Sequence, residues 1–386
     1  MNRDLFLVAF SLFFWGIGEG MFTYFQSIYL AQLGASPLLI GTILGVMGIA
    51  VLIFQIPAGL LSDKLGSRPL MWASWMFGAL SAGVMAIAHS LTVFVIGMLM
   101  YGLTSFVLAP MNSYISARRG KWSVGRALTF TNALFNFGMV IGPAVGGWIG
   151  ETLGLPIIYK ISACLFVIST ILVLFVSPVP AEIHHSTHQS FKVLRNNRPF
   201  LLLIFLAFLI TTATYLPQPL SSNFLEQVRG LDLSQIGQMG SIGSLGTALA
   251  AVFLGHLSPF AGILIGQGMM AAFSIILWSS PFPLLLGVGY LFIGGYRLYR
   301  SMMLAAVRDI VDVGQTGLAF GVLETANALA LMLAPVLAGL VYSRNPILVY
   351  PFSLIVILIV CGIFLFIIPR LSNQPVNPAS LSDSEE

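Results

Sequence analysis

Charged residues are scarce: they make up 8% of this 386-residue chain, whereas a soluble domain carries about 25%. That scarcity excludes an ordinary water-soluble globule. Net charge is +4 and the pI about 9.1, but the basic residues sit between apolar runs and point to no nucleic-acid partner. Cysteine is equally sparse. Cys164 and Cys361 both lie inside apolar runs, which excludes a disulfide framework and a Cys-based metal site. Missing too are a phosphate-binding loop, a G-x-S-x-G elbow and an H-E-x-x-H pair, so nothing signals ATP coupling or hydrolysis. Gly16, Gly18 and Gly20 imitate a nucleotide loop, but no strand precedes them. The chain is expected to be no enzyme and to need no cofactor.

What is present is apolar. Hydrophobic residues make up 58% of the chain, and the mean hydropathy is +0.95. The apolar residues come in blocks of about 20, the length a membrane-spanning helix needs. The first block imitates a secretory signal over 1–14, but no small-residue cleavage site follows and the run continues to Leu30, so it reads as the first helix. Twelve spans are predicted, at 5–30, 38–61, 70–88, 92–114, 127–150, 156–176, 199–220, 233–256, 261–279, 282–306, 317–342 and 346–369. The expected architecture is an all-α membrane protein of two six-helix bundles, 1–176 and 199–369. A polar loop at 177–198 joins them, and a Ser-, Pro- and acid-rich tail, 370–386, reads as disordered. His184, His185 and His188 in the central loop have no Cys or carboxylate partner and read as a solvated linker, with no metal.

Loop charge orients the chain. Twelve of the seventeen Lys and Arg fall in loops on the side of the N-terminus, among them Lys64, Arg68, Arg118, Arg119, Lys121 and Arg126. The positive-inside rule then places both termini in the cytoplasm, and the lipid bilayer of the cell (plasma) membrane becomes the main partner.

The halves repeat. Gly34, Gly41 and Gly59 reappear 196 positions on as Gly230, Gly237 and Gly255. Ser36 maps onto Asp232, and both are good N-cap residues. Further along the offset is 192, carrying Gly125, Pro143 and Gly147 onto Gly317, Pro335 and Gly339. Two six-helix halves in parallel repeat are the mark of a transporter that rocks about a central site. Within the fifth span Gly138, Gly142 and Gly146 fall four apart on one helix face, where a neighbouring backbone can approach closely. Pro143 removes an amide donor beside them. A bent helix with a small face is a pivot or a seam.

The loop Gly59-Leu-Leu-Ser-Asp63-Lys64-Leu-Gly66-Ser67-Arg68 resembles the signature between the second and third helices of the major facilitator superfamily. With the two-by-six layout, the resemblance covers about 1–370. It implies a cytoplasmic latch of Gly59, Asp63, Gly66 and Arg68, weakened by Ser67 in a basic position. In the second half Pro259 or His256 stands where the aspartate would fall. The segment Gly138-Met-Val-Ile-Gly142-Pro143-Ala-Val-Gly146-Gly147 is similar to the family's fifth-helix motif associated with proton-exchanging exporters. It implies a hinge of Gly138, Gly142, Pro143, Gly146 and Gly147. One departure stands out: where the family's fourth helix carries a basic residue, this chain has Met98.

Charges within a membrane are costly and suggest function. Glu19 lies near mid-depth in the first span, Arg297 and Arg300 in the tenth and Glu324 in the eleventh. Glu19 is the leading candidate to carry a coupling proton, with Glu324 as a second. Arg297 and Glu324 sit at matched depth on neighbouring spans and are expected to pair. Arg300, three residues on, is expected to snorkel to the interface. Arg297 is also a candidate to hold an acidic group of a substrate. The resemblance places the first, fourth, seventh and tenth helices around a cavity, with Glu19 and Arg297 lining it. Tyr24, Gln26, Asn132, Asn136, Thr214, Tyr215, Gln218 and Tyr296 are the uncharged candidates. Pro217 and Pro219 interrupt the seventh span near its outer end. The combined expectation is a monomeric secondary transporter that exports a small organic molecule against protons. The alternative is a symporter or uniporter importing a sugar, nucleoside or organic anion.

Overall fold

The computed structural model describes residues 3–48, 66–178, 191–311 and 315–372. Gly59, Asp63 and the three histidines of the central loop lie outside these described residues. The described chain is helical. In order it forms α1 (Arg3–Thr23), α2 (Gln26–Gln32), α3 (Pro37–Gly48), α4 (Ser67–Ala86), α5 (Leu91–Leu103) and α6 (Leu108–Ala117). Next come α7 (Val124–Leu153), α8 (Leu155–Leu174), α9 (Phe191–Asn196), α10 (Arg198–Tyr215) and α11 (Ser221–Gln227). Then follow α12 (Leu233–Leu254), α13 (Pro259–Ser279), α14 (Pro283–Leu291), α15 (Gly294–Ile310), α16 (Thr316–Arg344) and α17 (Val349–Ser372).

Among the described residues ten helical segments are long and apolar enough to cross a membrane. The other two of the twelve spans are the second, described only over Pro37–Gly48, and the tenth, split into α14 and α15. Starts and stops follow capping chemistry. Ser90, Ser123 and Asn197 each accept a hydrogen bond from the backbone N–H three residues on, satisfying a donor the first turn leaves free. The repeat mates Ser36 and Asp232 do the same, accepting from Leu39 N at 3.3 Å and Gln235 N at 2.7 Å. Gly34 and Gly230, another mated pair, turn the chain with φ of +91° and +68°, a conformation that costs glycine little.

Among the described residues four spans are broken: the first between α1 and α2, the fourth by a 3₁₀ turn at Thr104–Val107, the seventh at 216–220 around Pro217 and Pro219, and the tenth at 292–293. These are the first, fourth, seventh and tenth, one set of positions repeated in the two halves.

The fold is an all-α membrane fold of two pseudo-symmetric six-helix bundles. In the first half α1 packs on α7 and α8, and α4 on α5 and α8. A buried polar knot fixes that packing: the Trp75 indole N–H reaches Ser11 Oγ at 2.7 Å and Ser169 Oγ at 2.9 Å. In the second half α10 packs on α16 and α17, and α13 on α15 and α17.

The halves meet along two matched seams. The C-terminal part of α7 lies on the N-terminal part of α12, and α3 lies on the C-terminal part of α16. In the first, a Cβ at Gly237 would strike the Pro143 carbonyl and one at Gly147 the Leu233 carbonyl. In the second, a Cβ at Gly41 would strike the Pro335 carbonyl, and one at Gly339 would lie 2.6 Å from that of Pro37. Both seams lie at the end of the bundle away from Arg3.

Candidate functional site

Three of the broken spans, the first, seventh and tenth, converge between the halves on a cavity of about 280 Å³; the fourth, expected to line it as well, adds no residue to its wall. The breaks at 24–25 and 216–220 put Tyr24, Gln26, Tyr215 and Gln218 on its wall, α7 adds Asn136, and α15 adds Tyr296 and Arg297. Ser221 and Ser222 from α11 and Ser244 from α12 complete much of the polar lining, while Leu44, Phe135, Met139, Pro219 and Ile293 are its apolar part.

The cavity closes toward the seam end. Above it, Asn223 of α11 donates to the Ser27 carbonyl of α2 at 3.1 Å, tying the two halves. Glu151 Oε2, at the end of α7, accepts from Leu233 N at 2.9 Å. The amide of Ala144 donates to Ser241 Oγ at 3.0 Å. The carboxylate of Glu151 thus sits on the positive end of a helix in the opposite half.

Several placements differ from what the sequence led us to expect. Asn132 and Thr214 do not line the cavity. Asn132 is exposed one turn from Asn136, whose side chain donates to its carbonyl at 2.8 Å, and Thr214 is buried against Ile210 O at 2.7 Å. Glu324 pairs with Arg300 and not with Arg297. Residues three apart on a helix differ by about 60° in direction. On α15 that rotation turns Arg300 to α16 and leaves Arg297 facing the cavity. Arg300 therefore does not snorkel to the interface. Glu19 also stands apart from the cavity lining. It lies beside the Tyr101 hydroxyl and the Trp15 indole, close enough to Arg297 to feel its charge. The lining residue Thr23, one turn on, donates to its backbone carbonyl at 2.6 Å.

Gly138, Gly142 and Gly146 face α1, where added Cβ atoms would meet the backbone at Phe13, Ile17 and Met21. Gly147 and Pro143 of that motif face α12 instead, against Leu233, Gly237 and Gly240. The helix runs unbroken through Pro143 for 30 residues. Of the latch residues that are described, Gly66 takes φ +79° ahead of α4, and the Arg68 guanidinium lies 4.0 Å from the Trp72 ring centre.

The Major Facilitator Superfamily model matches residues 8–263, two-thirds of the chain. The chain belongs to this superfamily. An uncharacterized MFS-type transporter of Methanocaldococcus jannaschii, MJ1560, is 27% identical over 173 residues, 45% of either protein. The quinolone resistance protein NorA of Staphylococcus aureus is 22% identical over 152 residues, 39% of either. The chain thus matches less than half the length of these relatives. The crystal structure of the nucleoside transporter NupG superposes with a TM-score of 0.80 over 97% of this chain and 100% of that one, at 15% identity. An inward-facing, unoccupied bacterial homologue of the human lysosomal transporter Spinster gives 0.74 at 14% identity, covering 95% and 96%. These likenesses establish the fold.

Sequence reasoning missed several members of this superfamily fold's polar framework. Asp4 is 3% exposed. It pairs with Arg118 at 3.3 Å and accepts from the Ser177 hydroxyl at 3.1 Å, tying the starts of α1 and the central loop to the end of α6. Its place in the first turn of an apolar helix was the available signal. Ser222 and Asn223 sit beyond Pro219, inside a helix that the proline break made hard to phase.

Proposed function

We propose that the protein is a secondary transporter that moves a small organic molecule across the cell membrane by alternating access, with protons as coupling ion. The observation that supports it most directly is the pairing of a central cavity with glycine seams that join the halves at one end only, among the described residues. Such a seam can part as a unit while each half keeps its own core. Lysine and arginine crowd the loops at the opposite end, so that end, with both termini, is assigned to the cytoplasm. The described state is then closed outward. Glu19 is the proposed proton carrier, and the Arg300–Glu324 pair a second charge element that changes partners between states. The α7 glycines act as the packing surface on which α1 moves, and the protein works as a monomer.

Two directions of coupling have support. Efflux against protons fits the fifth-helix glycine–proline motif and the similarity to NorA. Import with protons fits Arg297, which lines the cavity within the electrostatic reach of Glu19. An anion on Arg297 and a proton on Glu19 favour one another, and such positive coupling is symport.

Spin labels at Gln32→Cys on α2 and Arg344→Cys at the end of α16 report the seam end directly. A second, longer distance population in lipid nanodiscs is the expected result. A single short distance under every condition, pH and ligand included, sinks alternating access. In vesicles loaded with a pH dye, compound-driven proton movement opposite to the compound marks export by antiport, and movement in the same sense marks symport.

A further inference from the structure

The chemistry of the cavity wall selects a substrate class, an inference that rests on the transporter reading. Thirteen of its eighteen lining residues are polar, and the one charged side chain among them is Arg297. Within the protein that guanidinium has no ion-pair partner among the described residues, because Glu324 is taken by Arg300. Gln26 and Ser222 are 7% and 5% exposed, face the cavity and hold no side-chain hydrogen bond among the described residues. Tyr215, half-buried, also lines the cavity without a side-chain hydrogen bond among the described residues. These donors and acceptors open onto the cavity, and a site that presents them is matched to a ligand whose own groups replace their hydrogen bonds to water. A ligand with a hydrocarbon surface supplies none. A lipophilic cation would in addition meet Arg297.

Size narrows the class. At about 280 Å³, the cavity lies at the floor of the roughly 300–1,000 Å³ range that drug-sized ligands occupy. One guanidinium balances one negative charge, and its fork matches a planar carboxylate. A phosphate monoester would bring a second charge that nothing on the wall balances. We propose that the cavity takes a small, hydroxyl-rich organic monocarboxylate, with its carboxylate on Arg297 and its hydroxyls on the amide and hydroxyl groups around Gln26, Ser222 and Tyr215.

The test is calorimetric binding to the purified full chain in detergent below neutral pH. The probes are D-gluconate, D-glucuronate and D-galacturonate. They are compared with neutral sorbitol, unhydroxylated hexanoate, dianionic glucose 6-phosphate and the lipophilic cation tetraphenylphosphonium. At least one sugar acid should bind about tenfold or more tighter than every comparison compound, a difference of about 1.4 kcal/mol. Arg297→Gln should lower that affinity at least tenfold. If that variant fails to fold, Gln26→Leu should weaken the sugar acid while leaving hexanoate no weaker. No binding by any of the three acids, or equal or tighter binding by any comparison compound, overturns the proposal. Compounds that bind are then followed by counterflow in phosphatidylethanolamine–phosphatidylglycerol vesicles. A lipophilic cation that binds and exchanges leaves the transporter standing and removes the substrate class. A sugar acid that binds without exchanging does the reverse.

Discussion

Gly237 lies against the main-chain carbonyl of Pro143 so closely that a Cβ has no room. The mate of Gly237 in the other half, Gly41, lies in the same way against Pro335, the mate of Pro143. The backbones come this close because neither glycine carries a side chain. A side chain at either glycine must push the seam apart. Gly237→Val and Gly41→Val are each expected to lower the population closed at the seam end at least about tenfold, or about 1.4 kcal/mol. The Gln32–Arg344 label distance measures it. Gly268→Val, where an added Cβ meets nothing within 4 Å, should leave the distances unchanged. Equal effects at all three positions would show a general loss of packing.

Glu19 lies beside Tyr101 from α5 and Trp15 from its own helix, within the electrostatic reach of Arg297 from α15. A bound monoanion on Arg297 adds negative charge near the Glu19 carboxylate, so the proton and the anion reinforce each other. Sugar-acid affinity should therefore rise as pH falls through the titration of Glu19. Glu19→Gln keeps the shape and fixes the neutral form. It should bind the anion at least as tightly as wild type, with the pH dependence lost and anion-linked proton movement abolished in vesicles. Affinity that rises with pH in the wild type would remove Glu19 from the coupling.

The Arg300–Glu324 pair is open to solvent over 28% and 34% of its side chains. Removing one member of a fully buried pair costs about 3–5 kcal/mol, and partial exposure brings the expectation for Glu324→Gln down to about 1–2 kcal/mol. Thermal unfolding in detergent should show a drop of a few degrees. Arg300→Met with Glu324→Leu should recover most of it, because no unpaired charge is left. Arg297→Met should leave the melting temperature nearly unchanged, since that guanidinium has no ion-pair partner among the described residues.

The seams were legible in the sequence because close backbone approach demands glycine, and glycine at a fixed offset survives as a pattern. Gly41, Gly237, Pro143, Pro335, Gly147 and Gly339 were singled out by offset alone, and they meet in space. The cavity was legible in part: Tyr24, Gln26, Asn136, Tyr215, Gln218, Tyr296 and Arg297 line it. Depth along a helix can be counted, but direction around it drifts once a span is broken. That is how Glu324 was matched to Arg297 when Arg300 is its partner. Thr214, one residue before Tyr215 and so about 100° from it around the helix, is buried and bonded to Ile210 O. The break at 24–25 contains neither proline nor glycine, so nothing local announced it.

Glu151 offers the cleanest separation of seam strength from helix strength. The N-terminus of α12 is capped twice. Asp232 and Gln235 form a reciprocal capping box within the second half, and Glu151 of the first half accepts from Leu233 N. Both caps satisfy orphan amides and oppose the helix dipole, but Glu151 alone spans the seam. Asp232→Ala should cost about 1 kcal/mol of stability, in either state of the seam, and so lower the melting temperature without moving the Gln32–Arg344 distances. Glu151→Gln should cost about 0.3–1 kcal/mol, almost all of it in the closed state, and shift the label populations toward the longer distance by about two- to fivefold. Glu151 is exposed, so raised salt should shrink that shift by screening. A Glu151→Gln protein with unmoved populations at low salt would mean that the carboxylate caps α12 without holding the halves together.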